Sequence, residues 1–378
     1  MIPIAGVLLA ARLAAPAAAG ETVTISVVGT NDLHGGVAPR DGKGGLALFA
    51  GYVANVRRAR AADGGAVVLV DAGDMFQGTL ESNLAEGAPV VRAYNALGYD
   101  AVAVGNHDFD YGPAGEASVP RSPADDPFGA LKARAAEARY PFLAANLLDA
   151  ATGRPVSWPN VKATAIVEKA GVRIGIVGVT TESTLRTTMA ANVATLAMAP
   201  LAETIAARAD ELRREGAQVV VVAAHAGGDC RVFTDPDDLA SCAPGQEIVA
   251  VARALPAGLV DAIVAGHRHE GMAHRVNGIA IGEAFTGGRA FSRIDLVFDR
   301  ARGRVTVSRL RPPQEIVAGS YEGTAVVADA AIEALLAPDV ERARRRREER
   351  LGPVLEAAFT GTYESECPEG NLFADLLL

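Results

Sequence analysis

Val67-Val68-Leu69-Val70-Asp71-Ala72-Gly73-Asp74-Met75-Phe76-Gln77-Gly78 is the stretch on which the fold turns. It opens with a short apolar run rich in β-branched residues, the mark of a parallel strand buried on both faces. It ends in Asp-Ala-Gly-Asp, where glycine lets the backbone turn sharply. Asp74 is thereby placed just past the carboxyl end of a buried strand, where open α/β sheets hold their ligands. A carboxylate has two oxygens, and one fixed there can serve two cations at once.

Outward from this stretch, strand and helix patterns alternate. Residues 22–28 are β-branched at nearly every position and lead into the turn Gly29-Thr30-Asn31-Asp32-Leu33-His34-Gly35-Gly36. Helical spacing follows over 45–61 and 88–97. A strand over 100–104 ends in Gly105-Asn106-His107-Asp108-Phe109-Asp110. A helix is expected over 127–139 and a strand over 141–147, with a hairpin pairing 161–168 and 172–179 across Lys169-Ala170-Gly171. After a helix over 201–215, the strand over 218–224 ends in His225-Ala226-Gly227-Gly228. After a helix over 247–255, the strand over 261–265 ends in Gly266-His267-Arg268-His269. Strands over 278–282, 291–298 and 304–310 complete an α/β pattern.

Five of these strands end in residues of metal-ligand type: Asp32 with His34, Asp74, Asn106 with His107, His225, and His267 with His269. The chain has six histidines, and only His274 lies elsewhere. Taken singly, each residue has a plain structural role: Asp74 as a helix N-cap, Asn106 in a turn, a lone histidine as a surface or capping group. Their joint occurrence at strand ends favours ligation. Carboxylate, carboxamide and imidazole together suit Zn²⁺, Mn²⁺, Co²⁺ or Fe rather than Ca²⁺ or a thiolate-seeking ion. In an extended backbone, Asp32 and His34 would face one side together, as would members of His267-Arg268-His269.

At 378 residues the chain is long enough for more than one domain, and a hydrophobic content of 49% permits a large core. The net charge of −9 argues against a nucleic-acid polymer as partner. A small anionic substrate stays open, because a bound metal reverses the local sign. Residues 1–20 are apolar and end in Ala17-Ala18-Ala19-Gly20, similar to a secretory signal with its cleavage site, although the basic n-region is absent. A membrane anchor or a disordered start is the alternative; no later segment reads as a membrane span. The protein is therefore expected in the periplasm or outside the cell. Cys230 and Cys242 bracket a polar loop, and in an oxidising compartment they would close it as a disulfide gaining about 3 kcal/mol. Two unrelated thiols are the alternative, and Cys367 is left without a partner.

The motifs Asn31-Asp32-Leu33-His34-Gly35, Gly73-Asp74-Met75-Phe76-Gln77-Gly78-Thr79, Gly105-Asn106-His107-Asp108-Phe109-Asp110-Tyr111-Gly112, Ala144-Ala145-Asn146-Leu147, His225-Ala226-Gly227 and Gly266-His267-Arg268-His269 resemble those of the calcineurin-like metallophosphatase superfamily. Within it they are most similar to the secreted 5′-nucleotidase and UDP-sugar hydrolase family. The resemblance runs from about Val23 to the end of the chain. It implies a four-layer α-β-β-α sandwich of two mixed sheets with the site at the strand ends. It implies two divalent ions: Asp32, His34 and His269 on one, Asn106, His225 and His267 on the other, with Asp74 bridging. His107 and Asp110 resemble the family's catalytic dyad, with Asp108 between them facing away in a structural role. The implied substrate is a small phosphate ester, a nucleoside 5′-monophosphate above all. Cyclic nucleotides, nucleotide sugars, sulfur oxyanions or a metal-bound non-catalytic remnant are the alternatives.

Arg268 is expected to be solvated, with phosphate contact as the lesser option. Asn31 and Asn146 should brace the ligand loops, and His274 should lie on the surface. The expected plan is a signal over 1–20, a catalytic domain over 21–322, a linker helix over 323–352, and over 353–378 a truncated start of the family's second domain. The run Glu341-Arg342-Ala343-Arg344-Arg345-Arg346-Arg347-Glu348-Glu349-Arg350 interleaves glutamate with arginine, which favours a solvated linker helix over a nucleic-acid surface.

Overall fold

The computed structural model describes residues 21–350, 352, 361–362 and 365–377. The expected signal over 1–20 lies outside the described residues, as do 353–360, 363–364 and 378 of the expected second-domain start. The principal strands are β1 (Thr22–Thr30), β2 (Ala66–Asp71), β3 (Ala101–Ala103), β4 (Phe142–Leu143), β5 (Val161–Lys162), β6 (Thr164–Lys169), β7 (Val172–Thr180), β8 (Val219–His225), β9 (Ala262–Ala265), β10 (Gly271–Val276), β11 (Ile279–Ala284), β12 (Ala290–Asp299) and β13 (Arg304–Glu315). The principal helices are α1 (Leu46–Ala62), α2 (Leu80–Asn83), α3 (Ala88–Leu97), α4 (Gly129–Glu137), α5 (Leu201–Arg214), α6 (Glu247–Ala254) and α7 (Ala330–Glu348).

The strands form two mixed sheets. One has seven strands in the order β13-β12-β1-β2-β3-β4-β5, and the other six in the order β10-β11-β9-β8-β7-β6. β1 to β5 run parallel, with β12 antiparallel to β1. β7, β8, β9 and β11 likewise run parallel, with β6 and β10 antiparallel at the edges.

Side-chain alternation explains the unbroken apolar runs. Val68 and Val70 of β2 join Val221 of β8 and Val264 of β9 in a layer between the sheets. Val67 and Leu69 point the other way, into a cluster with Phe49 of α1 and Tyr94 of α3. On the second sheet, Val220 and Val222 pack with Ile205 and Leu212 of α5 and Ile248 of α6. The result is a four-layer α-β-β-α sandwich. Because the central strands of each sheet are parallel, their carboxyl ends share one edge, and the two edges face each other.

Helix α7 is not solvated all round. Asp329 caps it by accepting from Ala331 N at 2.8 Å and Ile332 N at 3.2 Å. Ile332 and Leu336 are buried against the first sheet's helices, Asp339 pairs with Arg92 of α3, and Arg347 holds Glu81 of α2 at 2.6 Å. Only the opposite face carries the solvated charge ladder, with Glu341 bridging Arg344 and Arg345 at 2.8 Å each.

Cys230 and Cys242 are joined as a disulfide. His274 is buried, not on the surface: the ring of Phe233 lies 6.2 Å from its own, and it faces the segment that carries the Cys230–Cys242 pair. Among the described residues, no helix is long and apolar enough to cross a membrane.

Candidate metal centre

The loops after β1 and β2 are held side by side by their backbones: Asp32 N donates to Gly73 O and His34 N to Asp74 O, both at 2.9 Å. Asn31 fixes the Asp32 carboxylate from Nδ2 at 2.7 Å and is itself anchored by Ala284 N at 2.9 Å. Asp32 reaches across to the second sheet, where its Oδ2 accepts from His267 N at 2.8 Å. Asp74 Oδ1 accepts from His107 N at 2.8 Å. Gly105 packs so closely on this loop that a Cβ there would lie 2.1 Å from Asp74 Oδ1.

All seven expected ligands converge. Asp74 is fully buried, and its Oδ2 has no hydrogen-bond partner. That oxygen lies 3.1 Å from His225 Nε2 and 3.8 Å from His34 Nε2. His225 Nε2 is also 2.8 Å from Asn106 Oδ1. His269 Nε2 lies 3.0 Å from His34 Nε2 and 3.4 Å from Asp32 Oδ1. Two groups of ligand atoms result, Asp32, His34, Asp74 and His269 in one and Asp74, His225 and His267 in the other, each gathered within 4.8 Å and sharing Asp74.

The tautomers decide what this space accepts. His34 Nδ1 faces Gln77 O at 2.7 Å and His225 Nδ1 faces Ala72 O at 2.9 Å. A carbonyl only accepts, so both rings donate from Nδ1 and turn an Nε2 lone pair inward. With both rings neutral, lone pairs meet carboxylate and carboxamide oxygens, and only a cation, a proton or a metal ion, can sit between them. Such an arrangement fits cations, and leaving a buried carboxylate oxygen unpaired is otherwise costly.

The electrostatics agree. Burial opposes charge on Asp74, yet the imidazoles of His225, His34 and His107 hold it far below the ordinary carboxylate range. Burial also opposes charge on His225, but the Asp74 carboxylate pushes it up to about 10. Burial and the neighbouring His225 push His267 down to about 4. Without metal, a proton on His225 thus balances Asp74; a divalent ion would take over that role.

The family model for calcineurin-like phosphoesterases matches residues 25–271. This chain belongs to the calcineurin-like phosphoesterase family. Protein UshA of Yersinia enterocolitica is 32% identical over 252 residues, 66% of this chain and 41% of that protein. The 5′-nucleotidase of Vibrio cholerae is 31% identical over 67% of this chain and 41% of its own length. The chain therefore spans about two fifths of the curated relatives it matches. Among solved structures, a 5′-nucleotidase precursor from Thermus thermophilus superposes with a TM-score of 0.64 at 24% identity, over 86% of this chain and 60% of that one. The phosphoesterase YfkN from Bacillus subtilis superposes with a TM-score of 0.68 at 19% identity, over 87% of this chain and all of that one. Both share the fold.

In this phosphoesterase the ligand loops are not extended. Asp32 and His34 have φ of 47°, Asp74 58°, His267 81° and His269 61°. These left-handed torsions, each costing about 1–3 kcal/mol for a non-glycine residue, replace the expected pleat. They curl each loop so that alternate side chains turn inward while the backbone N–H groups bond the neighbouring loop.

His107 stands beside the ligand cluster, its ring 5.6 Å from that of His34. Its Nδ1 is 2.6 Å from Asp110 Oδ2, and this bond chiefly raises its pKa. Thr188 Oγ1 donates to the other Asp110 oxygen at 2.6 Å, a contact no local pattern announces. Asp108 faces away as expected: it accepts from Met75 N at 3.0 Å and Gly105 N at 2.8 Å, bracing two ligand loops. Burial and nearby Asp74 push it up to about 8. Arg268 is exposed. Asn146 does not brace the ligand loops; it bonds both backbone groups of Thr180, at 2.7 and 2.9 Å, and so fixes the end of β7.

Sequence reading missed two buried braces. Glu283 accepts from Gly228 N at 2.7 Å and Arg268 N at 3.3 Å, tying the two imidazole loops together. Burial and Asp32 raise its pKa well above the usual range. Asp71 accepts from Thr30 Oγ1 at 2.5 Å, Tyr94 Oη at 2.8 Å and Gly73 N at 2.7 Å. An acid inside an apolar strand, as in Ile279-Ala280-Ile281-Gly282-Glu283, is the signal that would have found Glu283.

Proposed function

We propose that the chain is a dinuclear metal-dependent phosphohydrolase of the 5′-nucleotidase type, acting on nucleoside 5′-monophosphates and related phosphate esters. The observation that carries this reading is the buried, unpartnered Asp74 Oδ2 shared by two convergent ligand groups. Asp32, His34 and His269 would hold one ion, Asn106, His225 and His267 the other, with Asp74 offering its carboxylate to both. The ligand set suits Zn²⁺, Mn²⁺, Co²⁺ or Fe. Two divalent ions so placed supply charge neutralisation for a phosphoryl group and lower the pKa of water.

The protein's own groups do the rest. Asp110 accepts from His107 Nδ1, which leaves Nε2 to give a proton to the departing alkoxide or to stabilise charge on the phosphoryl oxygens. The raised pKa of His107 keeps that proton available to higher pH. The nucleotide as substrate is supported by the Phe76-Gln77-Gly78-Thr79 and Phe109-Asp110-Tyr111-Gly112 motifs and by the names of the relatives. Export to the periplasm or cell exterior is supported by the signal-like segment and the disulfide.

The test is hydrolysis of p-nitrophenyl phosphate and AMP by the chain loaded with Mn²⁺ or Co²⁺. Turnover abolished by chelation is expected. Full metal occupancy with no turnover of either ester would overturn the reading.

A further inference from the structure

A cavity of about 910 Å³ opens beside the ligand cluster, and His34, His107 and His269 form part of its lining. Arg40, Arg289 and Arg347 line it as well. They come from three separate segments: the turn before α1, the loop before β12, and the last turns of α7. The first two are joined through Ile316, since Gly44 N bonds Ile316 O and Ile316 N bonds Arg289 O, and the loop of Arg289 is tied to a ligand loop by Gly287 N on Asp32 O, each at 2.8 Å. Arg40 is fixed through its backbone, paired with Lys43 in both directions at 2.9 and 3.1 Å, and its side chain is exposed.

The acids nearby offset the charge of Arg347 but leave most of that of Arg40 and Arg289. Among the described residues, Glu81 is the one carboxylate in the lining, and Arg347 holds it at 2.6 Å. Asp41 is 4.0 Å from Arg289 and 88% exposed, so solvent weakens that pair. A chain of net charge −9 thus carries a positive rim at one cleft, and low-dielectric walls focus such a field on what enters. None of the three arginines belongs to the ligand cluster. They line the same cavity as His34, His107 and His269, so a substrate held at the ligand cluster would have room to extend towards them.

We propose that Arg40 and Arg289, beside the Arg347–Glu81 pair, select phosphate esters whose leaving group carries negative charge of its own, such as a second phosphate. The proposal rests on the phosphohydrolase reading above. In the reaction, the phosphorus–oxygen bond to the leaving group breaks and one to the water oxygen forms. A proton passes to the departing alkoxide, and the second phosphate leaves intact.

The experiment compares AMP with adenosine 3′,5′-bisphosphate, which differ by one phosphate on the leaving nucleoside. The readout is the ratio of their kcat/KM values for release of the 5′ phosphate. The parent should favour the bisphosphate by about fivefold to tenfold at low salt, the scale of two partly exposed charge contacts. In the Arg40→Ala/Arg289→Ala variant the ratio should fall towards one, and Arg40→Lys/Arg289→Lys should restore most of it. High salt should compress the parent's ratio, because screening acts on exposed charges. A parent ratio at or below one, or a ratio unchanged in the alanine variant, overturns the rim proposal while leaving a working hydrolase. A parent that cleaves neither nucleotide nor p-nitrophenyl phosphate sinks the phosphohydrolase reading and the rim with it.

Discussion

The two sheets contribute opposite chemistry to one centre. β1, β2 and β3 end in oxygen donors, Asp32, Asp74 and Asn106, with His34 as the one imidazole. β8 and β9 end in imidazoles only, His225, His267 and His269. The oxygen side is buried and locked by backbone donors, His267 N on Asp32 and His107 N on Asp74. The imidazole side grades from buried His225 to exposed His269 and is tied from beneath by Glu283. Preorganised anionic charge needs the stronger scaffold, because it is the side that repels itself when no cation is near. Neutral imidazoles can be held more loosely and still ligate.

The sharpest way to break this contrast is at its shared member. Asp74→Ala should empty both ion positions and cut kcat/KM by roughly 10³-fold or more, about 4 kcal/mol of barrier. Elemental analysis beside kinetics measures both, and retention of two ions per chain would show that the halves do not depend on one carboxylate. His107→Asn touches neither set of ligands. It should keep metal content near that of the parent and slow turnover by roughly 10²-fold, the scale of acid–base or electrostatic help. A mutant as fast as the parent would remove His107 from the mechanism.

Glu283→Gln separates the halves more finely. The amide presents a donor where two backbone N–H groups need acceptors. Metal affinity should fall by roughly 10–100-fold, the usual effect of losing an outer partner. Two-site titration should show the loss mainly at the His225 and His267 position; equal losses at both positions would mean that the sheets are not braced independently. The smallest effect concerns pH. The Asp110 carboxylate raises the His107 pKa by favouring the imidazolium. Asp110→Asn removes that charge, so His107 loses its proton at lower pH. If His107 donates a proton, the alkaline limb of the kcat profile should move to lower pH; an unmoved limb would assign it to another group.

The strand ends were legible because parallel strands buried on both faces read as unbroken β-branched runs, and each stops at a polar turn. That is why Asp32, Asp74, Asn106, His225 and His267 could be placed from the chain's residues alone. β10 was not legible: Gly271-Met272-Ala273-His274-Arg275-Val276 mixes a histidine and an arginine into an edge strand, which hid both the strand and the burial of His274. The packing of α7 was hidden for another reason. Asp339 finds Arg92 at a sequence separation of 247, beyond any local pattern. The left-handed torsions at the ligand loops also escaped, since aspartate and histidine do not advertise positive φ as glycine does.

The layer of Val70, Val221 and Val264 between the sheets has a consequence for assembly. Neither candidate ion position lies within one sheet alone, because each proposed set of ligands draws on both, and a slip of one residue along a strand, about 3.3 Å, would part them. Methyl groups remote from any ligand therefore act as a calliper on the spacing between carboxylate and imidazole. Ion uptake during refolding would mark the moment at which that seam closes.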